Sequence, residues 1–299
     1  MIYFFSALYM EARPLIEAMH LRKDPSFTAF QIFRNDTVCL TVTGVGAAAA
    51  SAAAAHVFTR IGPGCADFLI NFGSCALIPE NENIDYTNIE STVYICRKIL
   101  EAGSGRCFYP DMFFKSPFDE AELITGQRAV DKNNIDNIES RFCSVPIRSL
   151  RENCHVPLLY DMEAAALYQA ANYFIGPGQM IFLKTVSDVC DPQDLSPDKL
   201  YRICSEHIGE TVKFAEKLAG ISEMTKTDDE KCRGQLCEDM HCSETMKEML
   251  AAYSRYFSAA GIDFDGYLAK LYGDGTLPCR DKRAGCAVLK RIHDELVLK

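Results

Sequence analysis

Between residues 38 and 60 an apolar, β-branched stretch runs into Gly44-Val45-Gly46 and then into a tract that is almost pure alanine. This junction restricts the fold more than any other feature. A strand that meets a glycine turn and then a small-residue helix belongs to a sheet buried on both faces, with helices packed close against it. The rhythm recurs. Residues 2–7 read as a first buried strand, followed by helical spacing of Leu15, Ile16 and Met19, and residues 68–72 read as a strand that ends in Gly73-Ser74. Residues 92–100, 123–125 and 180–186 supply further strands, and 162–174 and 197–218 read as helices. The expectation is an α/β architecture.

The character of the chain changes after Ile221. Residues 222–231 are polar and charged and read as a linker; helical patterns follow at 243–260 and 283–298, with a Gly/Pro/Cys-containing stretch between them. A catalytic domain at 1–221 and a small Cys-containing helical domain at 222–299 are therefore expected. A net charge of −10 over 299 residues argues against a nucleic-acid backbone or an anionic membrane surface as partner and favours a small molecule. Residues 1–8 lack the basic leader and cleavage site of a signal peptide, and no apolar run has membrane-spanning length. The fourteen cysteines are read as mainly reduced, buried thiols of a cytoplasmic protein.

Three carboxylates fall where a crevice forms at strand ends in an α/β sheet. Glu11 follows the first strand, Glu163 stands in Asp161-Met162-Glu163-Ala164-Ala165-Ala166 at the start of a small-residue helix, and Asp188 closes Val186-Ser187-Asp188 past a buried strand. Any one of them alone is more readily a helix cap or a solvent-facing acid. Together, in this order, they resemble the purine nucleoside phosphorylase/nucleosidase superfamily, and most closely its methylthioadenosine/S-adenosylhomocysteine nucleosidase branch. Asp161–Ala166 is similar to that family's Met-Glu-(Gly/Ala)-x-Ala segment, Ser187-Asp188 to its acid motif, and Thr43–Gly46 to its Gly-(Ile/Val)-Gly turn. Asn71-Phe72-Gly73-Ser74 and Ile124-Thr125-Gly126 match two further turns in family order.

The resemblance implies a three-layer nucleoside phosphorylase-like fold with a mixed central sheet, a homodimer, and no cofactor or metal. It also implies roles. Glu163 holds the ribose hydroxyls, Met162 packs under the sugar, Asp188 protonates the purine with Ser187 orienting the base, Glu11 polarises the attacking water, and Ser74 helps to order it. The sequence departs from the family in two places: Cys75-Ala76-Leu77 replaces Ala-Gly-Gly, and Gln127-Arg128-Ala129-Val130 stands where an aromatic normally stacks on the base, leaving Val130 as the substrate-binding position there. Phe108, Tyr109 and Phe113 lie where related dimers complete the pocket from the neighbouring subunit.

The implied activity is hydrolysis of the N-glycosidic bond of a purine nucleoside, with a 5′-thio-substituted adenosine as first candidate. A carboxylate at position 11 repels phosphate, so a phosphorylase using Arg13 and Arg60 is the alternative, and a nucleoside sensor without turnover is a second one. In the tail, Cys232, Cys237, His241, Cys242, Cys279 and Cys286 match common zinc spacings poorly and are expected to be plain thiols.

Overall fold

The computed structural model describes residues 1–64, 66–79, 89–111, 115–130, 155–191, 195–259 and 262–297. The chain divides into two units, Met1–Ser222 and Glu223–Lys299.

The first unit is built on a sheet of ten strands among the described residues. β1 (Ile2–Ser6) lies between β4 (Val38–Val42) and β5 (Phe68–Leu77), parallel to both. β3 (Gln31–Arg34) and the short β2 (Arg22–Lys23) extend that edge antiparallel. On its other side β5 pairs parallel with β10 (Met180–Asp188), which pairs antiparallel with β6 (Val93–Glu101). β6 then pairs parallel with β8 (Asp119–Thr125), and β8 with β9 (Leu158–Asp161). β9 returns antiparallel to the end of β5, at Ala76↔Tyr160 and Leu77↔Leu159. β7 (Cys107–Phe108) hangs on β6. The sheet is mixed, as expected. It is not simply a flat layer, because β5, β10, β6, β8 and β9 close on one another as a barrel.

This closure needs β5 to be long. The strand does not end at Gly73-Ser74, as its glycine suggests, but continues to Leu77. Its first half serves β1, its last two residues serve β9, and β10 runs along its opposite edge.

Helices cover both faces. On one face lie α2 (Ala47–Ile61) and α3 (Ala164–Ala171), whose alanines let both backbones approach the sheet beside Tyr3, Phe5, Leu69 and Phe182. Alanine is the strongest helix former, and Gly62, at φ +72°, ends α2 with its N–H on the Phe58 carbonyl at 2.9 Å. On the other face, Ala12 and Leu15 of α1 (Tyr9–Ala18), Leu200 and Ile203 of α4 (Pro197–Glu206), and Phe214 and Leu218 of α5 (Ile208–Asp239) pack on Ile2, Phe4, Ile70 and Ile181.

The helix expected over 197–218 is interrupted at His207. The polar stretch 222–231 is not a loop but part of α5; it contains no Pro or Gly, and its Glu, Lys and Met residues favour a helix. The second unit adds α6 (Glu244–Ala259), α7 (Phe264–Gly273) and α8 (Lys282–Val297) around Met240, Leu250, Phe257, Leu271 and Ile292. α7 has no counterpart in the sequence reading. No helix among the described residues is long and apolar enough to cross a membrane.

Candidate functional site

Glu11 stands in the first turn of α1, directly after β1. Its Oε2 accepts the Leu8 N–H at 2.9 Å, so the carboxylate does cap its own helix. The other oxygen does something a cap does not require. Oε1 accepts from both the Ser74 N–H at 2.9 Å and the Ser74 hydroxyl at 2.5 Å, on the neighbouring strand β5. Glu11 is only 2% exposed. Its approach depends on Gly73, where a Cβ would lie 3.2 Å from Oε2. The glycine inside β5 is therefore a place where a carboxylate comes close to the sheet backbone.

Glu163 immediately precedes α3, is 8% exposed, and accepts the Gly46 N–H at 2.7 Å. Gly44 and Gly46 sit at φ +85° and +96°, a conformation glycine adopts without strain, so the turn presents this N–H instead of closing on itself. Burial first, then the charge of Asp161, raises the Glu163 pKa to about 7; Lys184 and the Gly46 N–H oppose the rise, and Glu11 adds to it. Glu11 and Glu163, from opposite helical layers, thus lie within electrostatic reach of each other.

Beneath Glu163 is a buried network. Lys184, on β10, is 1% exposed, and its Nζ pairs with Asp161 Oδ2 at 2.8 Å. The Thr125 hydroxyl donates to Asp161 Oδ1 at 2.6 Å and accepts the Ala165 N–H at 3.1 Å, while Asp161 Oδ2 also accepts the Ala164 N–H at 2.9 Å. These bonds fix the start of α3, and with it Glu163. Burial works against the Lys184 charge, but the charges of Asp161 and Glu163 outweigh it and hold the ammonium pKa above its ordinary range.

Asp188 ends β10 at a bulge, opposite Ala76 of β5, with Thr185 opposite Ser74. It is 6% exposed; Oδ1 accepts the Asp191 N–H at 2.8 Å, and Oδ2 lies 2.7 Å from the Ser187 hydroxyl. That hydroxyl also lies 3.0 Å from the Cys75 carbonyl and can donate to only one of the two at a time. Met162 is half-buried between Asp161 and Glu163. Val130 is buried among Ile78, Ile124, Tyr160 and Cys190, the last of these lying two residues past Asp188. Phe108 packs on Tyr168 with ring centroids 5.0 Å apart, Tyr109 is exposed, and Phe113 lies outside the described residues.

Both arginines considered for phosphate are engaged elsewhere. Arg13 pairs with Glu17 at 2.8 Å and lies over the Tyr201 ring, and Arg60 covers Phe27 at 4.4 Å. Among the described residues, no group of three or more His, Cys, Asp or Glu side chains is placed to hold a metal.

Lys184, Asp161 and Thr125 went unassigned in the sequence. Lys184 left a signal, since a lysine inside the apolar run Met180–Val186 has to be paired if it is buried.

The fold of the first unit is that of the 5′-methylthioadenosine/S-adenosylhomocysteine nucleosidases. The Neisseria meningitidis enzyme, solved with methylthio-immucillin-A, superposes with a TM-score of 0.54 at 18% identity, over 72% of this chain and 98% of its own. The Streptococcus pneumoniae enzyme, bound to a transition-state inhibitor, gives 0.53 at 17% identity over 74% and 98%. The Arabidopsis thaliana 5′-methylthioadenosine nucleosidase gives 0.54 at 17% identity over 73% and 95%. No protein-family profile and no curated protein sequence matches the chain.

Proposed function

We propose that the first unit is a purine nucleosidase that hydrolyses the bond between a purine and its ribose, with a 5′-thio-substituted adenosine as the preferred substrate. The observation that carries this reading is Glu11, a buried carboxylate locked to Ser74 on β5 and within electrostatic reach of Glu163. A helix cap alone needs neither feature.

In this reading Glu163 accepts hydrogen bonds from the ribose hydroxyls, above Met162. Asp188 protonates the departing base, while the Ser187 segment orients it against Val130. Glu11 and Ser74 hold the attacking water and draw its proton as the ribosyl cation develops. No metal or organic cofactor enters the chemistry. Hydrolysis is preferred over phosphorolysis because a phosphate dianion would meet Glu11 and Glu163, while Arg13 and Arg60 are committed to other partners. The inhibitors bound by two structural neighbours, and the 5′-methylthioadenosine bound by the Helicobacter pylori enzyme, support the purine nucleoside class. A homodimer, cytoplasmic location and division of labour between a catalytic 1–221 and a separate tail belong to the same proposal.

The test is release of free base from methylthioadenosine, adenosylhomocysteine, adenosine and inosine, with and without phosphate, beside Glu11→Gln. Release without phosphate that vanishes in the variant supports the hydrolase. Release that requires phosphate makes the protein a phosphorylase, and binding without release makes it a sensor.

A further inference from the structure

In the second unit, α5 ends in a turn with a defined hydrogen-bond pattern. The His241 N–H bonds to the Glu238 carbonyl at 3.0 Å, and the Cys242 N–H reaches back to the Cys237 carbonyl at 2.9 Å. His241 takes the left-handed conformation between them, at φ +50°. This is a Schellman stop, in which the residue donating the long bond and the residue accepting it bring their side chains together. Hydrophobic residues usually fill that contact. Here both are cysteines. Both side chains pack against the same small core, both are half-buried, and both are free.

The turn is held from outside as well. The His241 Nε2–H donates to the Cys279 carbonyl at 3.0 Å, and the Cys279 N–H donates to the Asp239 carbonyl at 2.7 Å. These bonds hold a non-glycine residue in a conformation it otherwise disfavours. The two sulfurs are therefore kept together by the fold and do not meet only by chance.

We propose that Cys237 and Cys242 form a reversible redox modification site that closes to an intramolecular disulfide. The long Schellman bond keeps the two backbones near enough for such a bridge without moving the helix. Burial, followed by the adjacent Cys237 sulfur, raises the Cys242 pKa to about 12, so Cys242 keeps its proton. The order of events follows from this. Cys237, as thiolate, attacks one sulfur of a low-molecular-weight disulfide such as oxidised glutathione and expels one glutathione thiolate. Cys242 then gives up its proton and attacks the Cys237 sulfur of the mixed disulfide, expelling the second. Two protein thiols and one glutathione disulfide become one protein disulfide and two glutathiones. Lys247, whose ammonium lies within electrostatic range of both sulfurs, favours the anionic intermediates.

One tryptic peptide, 234–247, contains both cysteines and no others. The full-length protein is equilibrated in glutathione buffers of graded oxidation, quenched with acid, alkylated and digested. The expected result is a 234–247 peptide that has lost two hydrogens and takes up no alkylating agent until it is reduced. The fold should favour closure, so half-conversion should need at least about tenfold less oxidant in the protein than in the free synthetic peptide. A Cys279→Ser variant should behave like the parent. Equal midpoints for protein and peptide, a product that stops at the mixed disulfide, or a bridge that runs to Cys279 instead would each overturn the proposal.

Discussion

Replacing Lys184 with methionine tests the physical core of the candidate site. Methionine keeps most of the side-chain volume and removes the ammonium, leaving Asp161 as a buried carboxylate without its counter-charge. Breaking one side of a fully buried ion pair costs about 3–5 kcal/mol, because the remaining charge has neither water nor partner. For a unit of this size each kcal/mol shifts the melting temperature by about 2–4 °C, so a drop of roughly 6–20 °C is expected. The dependence on pH has a definite sign. In the variant, Glu163 lacks the cation that opposed its rise, so its carboxyl is raised further above its unfolded value. The folded variant then binds protons that the unfolded chain has released, and its stability falls as pH rises. The deficit should therefore be largest near about pH 8 and shrink toward about pH 5. Scanning calorimetry of the full chain, in which the displaced transition is followed across pH, measures this directly. The double variant Asp161→Asn, Lys184→Met removes both charges and should recover more than half of the loss. A single variant that melts within about 2 °C of the parent, a deficit that grows in acid, or strictly additive losses in the double variant would refute the reasoning.

Glu11→Gln should keep nucleoside binding, read by calorimetry, while base release falls by about 10²–10⁴-fold; equal losses of binding and turnover would mean that Glu11 only supports the fold. Gly73→Ala should act through the same carboxylate, since its methyl would lie 3.2 Å from Glu11 Oε2. A fall in kcat larger than the change in Tm is expected, and an unchanged kcat would remove Gly73 from the site. Glu163 must be ionised to accept both ribose hydroxyls, and its pKa is raised to about 7. KM should accordingly fall as pH rises through about 7, by up to tenfold per unit below that value; a KM flat from about pH 5 to 8 would contradict the role.

The parts of this structure legible in the sequence are those governed by local chemistry. The strand–glycine–alanine-helix junction at 38–61 reads directly, because positive φ at Gly44 and Gly46 and high helix propensity in the alanines are properties of those residues themselves. The positions of Glu11, Glu163 and Asp188 at the sheet edge read almost as well, since each lies next to a strand end. Sheet closure does not. Gly73 marks a strand end in isolation, yet tertiary pairing with β9 and β10 carries β5 past it to Leu77. β9 is only four residues long and gives no periodic signal. The partner of Lys184 was equally hidden: Asp161 lies on β9, which is separated from β10 by β5, and nothing local to either residue indicates the pairing. The supposed linker at 222–231 failed for a simpler reason, namely that a polar stretch without Pro or Gly is as compatible with a solvated helix as with a loop.

The charge arrangement around Glu163 connects the fold to the chemistry. Glu11, Asp161 and Glu163 bring three carboxyls into one region, opposed by the buried ammonium of Lys184. Lys184 is spent on Asp161 and is buried at 1% exposure, so its charge is directed at the scaffold and not toward an incoming anion. The Gly46 N–H, the sort of donor a phosphate would use at the start of α2, is already bound to Glu163. Among the described residues, what remains toward a ligand is the negative charge of these carboxyls, held by groups that need no reorganisation. Such a field lowers the energy of a ribose ring that becomes positive as its base departs, and raises the energy of a dianionic nucleophile beside it. In the proposed reaction the same two effects favour water as the nucleophile: it carries no charge to repel, and Glu11 is the group assigned to take up its proton as the bond forms.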